Sequence, residues 1–522
     1  AEELFGHKGI STRLPDKSFH RYTYGDFARR SKKLAVALGE LGFEKGDRVA
    51  TLGWNTYQHL ECYFGLPSAG FVIHTLNPRL SPEDLTYIIG HAEDRALMVD
   101  ETLLPVFESI RDRVDLERVI VFSHGGSVPE DLDGYEELLE RGDESRFEYP
   151  ELDENDAAAM CYTSGTTGRP KGALYSHRGL CLHSMALAAA DGLGMGEADT
   201  VLPVVPMFHV NAWGLPFTAT MVGADQVFPG PHLDPESLLE DFEQEGVTIT
   251  AGVPTIFLGV LQTLDAEPGA YDLSELRTLA VGGSAAPEAM IRGFQERHGL
   301  SILHAWGMTE TSPVATVSRI TSGLQDASED EKYRYRAKQG LALPFIEVRA
   351  RGEDDGFIPW DGETMGELEV RGPWVASSYY NTPEGDDKFT GDGWFRTGDV
   401  VSIDPLGYVE IRDRDKDLVK SGGEWISSVD LENALMGHEA VAEAAVIAIP
   451  DPRWQERPLG VAVLKEGQSA TQEELIEHLA GSGFAKWQLP DNIEFVDAIP
   501  RTATGKFLKM KLREQFGDYT PA

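Results

Sequence analysis

Tyr162-Thr163-Ser164-Gly165-Thr166-Thr167-Gly168-Arg169-Pro170-Lys171-Gly172 follows directly on an apolar run at 157–161. The run reads as a buried strand, and the loop after it reads as an anion cradle: glycines free backbone N–H groups to point inward, hydroxyls add donors, and one lysine supplies charge. It departs from the P-loop of kinases and GTPases, which needs Gly before the lysine and Ser or Thr after it, where Pro170 and Gly172 stand here. Composition argues against an ordinary Ser/Gly surface loop, because Lys171 is the only lysine between Lys45 and Lys332. Outward from this loop, residues 20–125 alternate an amphipathic helical stretch at 24–41 with apolar runs at 48–52, 71–74, 96–99 and 119–122. The same rhythm resumes from 157 to about 307, as expected of βα units on a largely parallel sheet.

Two changes of character follow. Runs at 346–350, 366–371 and 408–411 read as short strands between turns, a small β-rich subdomain. After Asp413 comes an α+β tail, with helices at 428–436 and 472–480, strands at 442–449 and 493–496, and a basic terminal helix. The expected fold class is therefore α/β. A large N-terminal domain over 1–413, made of βα-layered subdomains plus the β-rich one, precedes a charged connection at 414–417 and a small α+β C-terminal domain over 418–522. The acidic stretch at 328–331 reads as a solvated helix start.

Composition bounds the function. A chain of 522 residues exceeds one compact core, and 41% hydrophobic with 25% charged residues is ordinary for a globular protein. No run approaches the ~18 apolar residues of a membrane span, and the opening AEELFGHKG lacks a signal-peptide pattern. Three cysteines, Cys62, Cys161 and Cys181, form neither a disulfide framework nor a zinc site, which suits a reducing cytoplasm. The net charge of −40 argues against a nucleic-acid-binding surface. The 46 basic residues comprise 16 Lys and 30 Arg. Such an acidic, lysine-poor surface is expected of a halophile, since at molar salt the Debye length is only ~3 Å and self-repulsion is screened.

Further motifs follow the loop in order: Gly282-Gly283-Ser284-Ala285-Ala286-Pro287, Trp306-Gly307-Met308-Thr309-Glu310-Thr311, Trp394-Phe395-Arg396-Thr397-Gly398-Asp399, Asp413-Arg414-Asp415-Lys416-Asp417, and Pro500-Arg501-Thr502-Ala503-Thr504-Gly505-Lys506. Together with the loop they resemble, across nearly the whole chain, the adenylate-forming superfamily of acyl-CoA synthetases, luciferases and peptide-synthetase adenylation domains. The match is closest to the medium- and long-chain fatty acyl-CoA synthetases. The resemblance implies a mobile C-terminal domain and an enzyme that first makes acyl-AMP and pyrophosphate from a carboxylic acid and ATP, then acyl-CoA and AMP.

It also implies roles. The loop from Thr163 through Ser164, Gly165, Thr166, Thr167 and Gly168, with Lys171, holds phosphates. Gly283, Ser284, Ala285, Trp306, Gly307 and Thr309 surround adenine, with Trp306 offering a flat face where the family more often has Tyr, whose phenol hydrogen bond would be lost. Asp399 and Arg414 take the ribose, Glu310 with Thr163 holds Mg²⁺, and Lys506 stabilises the adenylation transition state. His209, Val210 and Trp213 line the acyl pocket, with His209 beside the reacting carboxylate. Gly422 and Gly423 leave room for pantetheine, and Lys416 is the hinge. In isolation each has a commonplace reading: Glu310 a surface acid, Trp306 and Trp213 core indoles, His209 a satisfied core imidazole, Gly398-Asp399 and Gly422-Gly423 turns, Lys506 a solvated helix start.

The substrates expected are ATP, CoA and a carboxylic acid, with Mg²⁺ as cofactor and a homodimer as in relatives; no nucleic acid or membrane span enters. The acid itself stays open between fatty acids and a small acid such as methylthiopropionate. A ligase loading a carrier protein, a luciferase-type oxygenase and a non-enzymatic nucleotide-binding scaffold are the other readings.

Overall fold

The computed structural model describes residues 1–522 apart from 164–168, 353, 415–416, 422–423, 452, 502–506 and 518–522. Among the described residues the chain builds four sheets. In the seven-stranded one, Arg48–Leu52, Val72–Thr75, Ala96–Asp100, Arg118–Phe122 and Ala157–Tyr162 run parallel. Gly172–Ser176 then runs antiparallel to Ala157–Tyr162 at the edge of the sheet, so the sequence 163–171 joins two paired strands. The nine-stranded sheet has Asp225–Phe228, Thr200–Pro203, Ile249–Gly252, Thr278–Val281 and Ile302–Gly307 in a parallel run. Gly9–Arg13 extends it beyond Asp225–Phe228, Ile10 pairing with Gln226, and Phe19–Thr23 closes that edge antiparallel.

Helices Tyr24–Glu40 and Tyr57–Ser68 join the two sheets into one core. The first is amphipathic and opens with a capping box between Thr23 and Asp26. The second is buried on nearly every side, which is why it lacks a polar stripe. Leu34, Leu38, Tyr63 and Leu66 from these helices share a cluster with Ile73 of one sheet and Val201 of the other. The buried Glu61 carboxylate accepts from Arg30 Nε at 2.7 Å and from the Tyr135 hydroxyl at 2.8 Å. His59 sits between Thr51 and the Trp54 carbonyl at 2.9 Å each.

The β-rich part is a four-stranded antiparallel sheet of Glu347–Arg351, Gly366–Arg371, Phe395–Ile403 and Val409–Arg414. The smaller C-terminal domain places helices Ser428–Met436 and Gln472–Gly481 against the hairpin Val441–Asp451 and Gln455–Leu464. Asn492–Phe495 adds a parallel edge strand. Among the described residues, no helix is long and apolar enough to cross a membrane.

Candidate functional site

Ligands of open α/β sheets bind at the carboxyl ends of the parallel strands, and two of the expected site residues, Thr163 and His209, come together there. Thr75 and Asn77 after one strand, Tyr162 and Thr163 after its neighbour, and Phe208 with His209 from the other sheet line an open cleft of about 340 Å³. Thr163 closes the base of the phosphate loop: its N–H donates to the Lys171 carbonyl at 2.9 Å, and its Oγ1 accepts the Lys171 N–H at 3.0 Å. Loop residues Ser164, Gly165, Thr166, Thr167 and Gly168 lie outside the described residues, as do Lys416, Gly422, Gly423 and Lys506.

Lys171 and Glu310 meet at Tyr379, a residue outside all six motifs. The Tyr379 hydroxyl donates to Glu310 Oε1 at 2.5 Å, and the Lys171 ammonium lies 4.9 Å from the Tyr379 ring centroid. Burial, reinforced by the Glu310 carboxylate, drives the Tyr379 phenol well above its usual range, so it stays a donor. Glu310 is 5% exposed, and its carbonyl accepts the Ala376 N–H at 2.7 Å, stitching the 376–380 segment to the turn. The Tyr175 hydroxyl holds the Thr309 carbonyl at 2.7 Å from the other side. The usable signal for Tyr379 in the sequence is its place in Ser-Ser-Tyr-Tyr-Asn-Thr-Pro, an aromatic pair set among turn formers.

A second group forms where the nine-stranded and four-stranded sheets meet. Trp306 donates its indole N–H to Asp399 Oδ2 at 3.0 Å, and Arg414 Nε lies 2.6 Å from Asp399 Oδ1. The indole N–H of Trp306 is thus engaged by Asp399, and the ring is buried rather than openly presented. Asp399 and Arg414 stand opposite each other in register on adjacent strands. Asp399 is 1% exposed, and each oxygen keeps a free lone pair beside its present partner, enough to accept from a diol. Gly307 follows in the same strand, while Gly283 (half-buried, φ +82°), exposed Ser284 and half-buried Ala285 form the neighbouring turn.

The residues expected on the acyl side sit on an unusual backbone. Val210, Asn211, Ala212, Trp213 and Gly214 all have φ between +42° and +75°, a complete left-handed turn. For L-residues this costs roughly 1–2 kcal/mol each, and tertiary packing offsets it. Cys161 Sγ lies 3.0 Å from Asn211 Oδ1. The Trp213 indole lies against Gly282, where a Cβ would approach it to 3.1 Å, and a Cβ on Gly214 would come within 2.7 Å of His183 Nδ1. His183 in turn accepts the Val314 N–H at 3.2 Å, and burial pushes its imidazole down to about 3. His209, ahead of this turn, lines the cleft with Thr163; Val210 and Trp213 are buried and do not line it. The turn sets the Trp213 indole against Gly282.

Comparison with known proteins agrees with this layout. Residues 9–380 match the family model for AMP-binding enzymes, and residues 430–506 match that for the AMP-binding enzyme C-terminal domain. The chain is 52% identical over 522 residues to a long-chain-fatty-acid–CoA ligase of Thermus thermophilus, covering 99% of this chain and 94% of the relative. It is 47% identical over 525 residues to a 3-methylmercaptopropionyl-CoA ligase of Ruegeria lacuscaerulensis, covering 99% and 96%. Its fold superposes on the crystal structure of the anthranilate CoA ligase AuaEII in complex with anthranoyl-AMP with a TM-score of 0.87 at 26% identity, covering 98% of this chain and 95% of that one. With motifs, sheets and these matches in agreement, the chain belongs to the AMP-binding enzyme family, within the adenylate-forming superfamily.

Proposed function

We propose that this chain is an ATP-dependent fatty acid–CoA ligase acting on medium- or long-chain acids. The observation that carries the reading is the convergence of Lys171 and Glu310 on Tyr379 at the foot of the phosphate loop. It supports the reading because an ammonium and a carboxylate, chemically suited to phosphates and to a hard divalent ion, stand within one short chain of contacts. The full-length likeness to a long-chain-fatty-acid–CoA ligase points the same way.

In the first step a carboxylate oxygen attacks the α-phosphorus of ATP and the bond to the bridging oxygen breaks, so pyrophosphate leaves and acyl-AMP remains. Lys171 and the loop hold the departing phosphates, Asp399 accepts from the ribose hydroxyls beside Arg414, and Lys506 meets the charge that builds on the transferring phosphate. His209 faces the cleft where the carboxylate enters. In the second step the small domain turns about the connection at Lys416, the CoA thiol loses its proton to solvent, and its sulfur attacks the acyl carbon past Gly422 and Gly423. AMP leaves with the electron pair of the broken anhydride bond. The oxygen-rich setting of Glu310 fits Mg²⁺, which Glu310 and Thr163 would hold together with substrate phosphates. When bound, the ion would neutralise phosphate charge.

A second reading, a CoA ligase for a small acid such as methylthiopropionate, is favoured by the 47% identical Ruegeria relative. The same reading of the chain includes a cytoplasmic location, a homodimer, a domain boundary near 413 and a halophilic source. Measuring pyrophosphate, AMP and acyl-CoA with a graded series of straight-chain acids and with methylthiopropionate tests it. Stoichiometric acyl-CoA and AMP with the longer acids is expected. Turnover confined to methylthiopropionate selects the second reading, and AMP release without CoA consumption overturns both.

A further inference from the structure

The helix Pro82–Ala92 carries none of the six motifs, yet two of its side chains meet the phosphate-loop motif, one near each end. Ser81 caps this helix, its Oγ accepting the Asp84 N–H at 3.1 Å, with Pro82 in the first turn. Just past its other end, Asp94 Oδ2 and His74 Nδ1 lie 2.8 Å apart, both side chains fully buried, which ties the helix to the strand Val72–Thr75. Tyr87 and His91 stand one turn apart and so share a face. The Arg169 guanidinium lies 5.0 Å from the Tyr87 ring centroid, and His91 Nδ1 is hydrogen-bonded to the Tyr162 hydroxyl at 2.6 Å. The His91 ring is itself held between Tyr87 and Tyr380, at centroid distances of 5.3 Å and 5.8 Å.

The place of the Tyr162 ring bears directly on Lys171. Tyr162 pairs with Gly172 in register, and a Cβ on Gly172 would come within 3.0 Å of Tyr162 Cζ, so the phenol lies against the residue that follows Lys171. Thr163, next in the chain after Tyr162, exchanges two hydrogen bonds with Lys171, at 2.9 Å and 3.0 Å. From the other side, the Gly172 carbonyl accepts the Tyr380 N–H at 2.8 Å, and the neighbouring Tyr379 meets both Lys171 and Glu310. Burial drives the Tyr162 phenol well above its usual range, so the hydroxyl stays protonated and needs a partner where it sits. His91 supplies that partner from a helix anchored at both ends.

We propose that His91 is a positioning residue for ATP: by holding the Tyr162 phenol against Gly172, it fixes Thr163 and Lys171 at the cleft. The inference rests on the assignment of Lys171 to the phosphates. Without the hydrogen bond the phenol is free to leave Gly172, and Lys171 meets ATP from a looser base, at a cost of roughly 10-fold, the scale of one hydrogen bond to a buried group. Thioester formation involves no pyrophosphate, makes no demand on Lys171 and is spared.

The test uses the full-length chain, with acyl-AMP formation and thioester formation from supplied acyl-AMP measured separately. His91→Phe keeps a ring between Tyr87 and Tyr380 but cannot bond to the phenol. It is expected to lower kcat/KM for ATP in adenylation roughly 10-fold, while KM for the acid and the thioester rate stay within about 3-fold. His91→Asn, whose amide reaches the place of Nδ1, is expected to recover kcat/KM for ATP to within about 3-fold of the parent chain. Tyr162→Phe removes the other partner, so Tyr162→Phe/His91→Phe should lose about as much as either single variant. Equal losses in His91→Asn and His91→Phe, additive losses in the double variant, equal losses in both half-reactions, or an unchanged kcat/KM for ATP in His91→Phe overturns the proposal. Lys171→Met run in parallel separates the two ideas. If it leaves kcat/KM for ATP untouched, the assignment of Lys171 falls and the role of His91 with it; if it lowers that value and His91→Phe does not, only the role of His91 falls.

Discussion

The proposed nucleotide side and the proposed acyl side of this site are built by opposite means. Asp399 and Arg414 face each other across an antiparallel ladder, just beyond a register shift at Val400–Val401, with Trp306 arriving from the end of a third strand. Their geometry follows from register, which neighbouring backbone hydrogen bonds hold without strain. Trp213 is instead presented by five successive left-handed residues, only one of them glycine, held in place by Gly282, Cys161 and His183. A register-built contact depends on which side chain occupies a position. A turn-built contact depends on its supports as well, so damage should reach it from residues that never touch a ligand.

The largest expected effect is on the ladder side. Asp399→Asn keeps the shape but removes the charge facing Arg414 and one acceptor for ribose, and should raise KM for ATP roughly 10²-fold, the value of a charge-assisted hydrogen bond. An unchanged KM would show that the ladder serves stability alone. On the turn side, Trp213→Ala should alter the chain-length profile roughly 10-fold while KM for ATP moves little, because an indole acts on an alkyl chain through apolar contact. Equal losses with short and long acids would reduce Trp213 to a core indole.

The support of the turn has a pH signature. The unfolded His183 imidazole takes a proton near 6.5 and the folded one not until about 3, so stability should fall as pH drops through that window. The slope is about 1.4 kcal/mol per pH unit for one proton. Urea unfolding of His183→Gln against the parent chain checks it; identical slopes would mean that His183 does not resist protonation. A smaller effect reverses sign between regions. Ala212→Gly should stabilise by up to about 1 kcal/mol at its left-handed position, whereas Ala186→Gly in the helix His177–Ala188 should cost about 1 kcal/mol. Smallest per charge, and spread over the surface, is salt: the thermal transition should rise into molar KCl, and a maximum in dilute buffer would remove the halophile reading.

Much of this architecture is legible in the amino-acid sequence. The runs at 48–52, 366–371 and 428–436 coincide with Arg48–Leu52, Gly366–Arg371 and Ser428–Met436, because apolar period and caps are local properties. Ser328 caps the helix Glu329–Ala337, as its acidic first turn suggests. The left-handed turn is invisible there, since Val, Ala and Trp have no preference for that conformation and only tertiary contacts impose it. Tyr379 is legible only as an aromatic among turn formers: its meaning lies in a contact with Glu310 across 69 positions of chain. The indole hydrogen bond of Trp306 depends on a partner from another sheet.

The pairing of Gly9–Arg13 with Asp225–Phe228 bears on how the chain is made. Gly9 and Asp225, joined by a hydrogen bond, are 216 positions apart. At ribosomal rates of ~5–20 residues per second, the first strand waits roughly 10–40 s for its partner to be synthesised. During that interval Ile10 and the apolar face of the helix Tyr24–Glu40 have no completed sheet to cover them. Nascent chains halted before residue 225 should therefore hold chaperones more firmly than chains halted beyond 228.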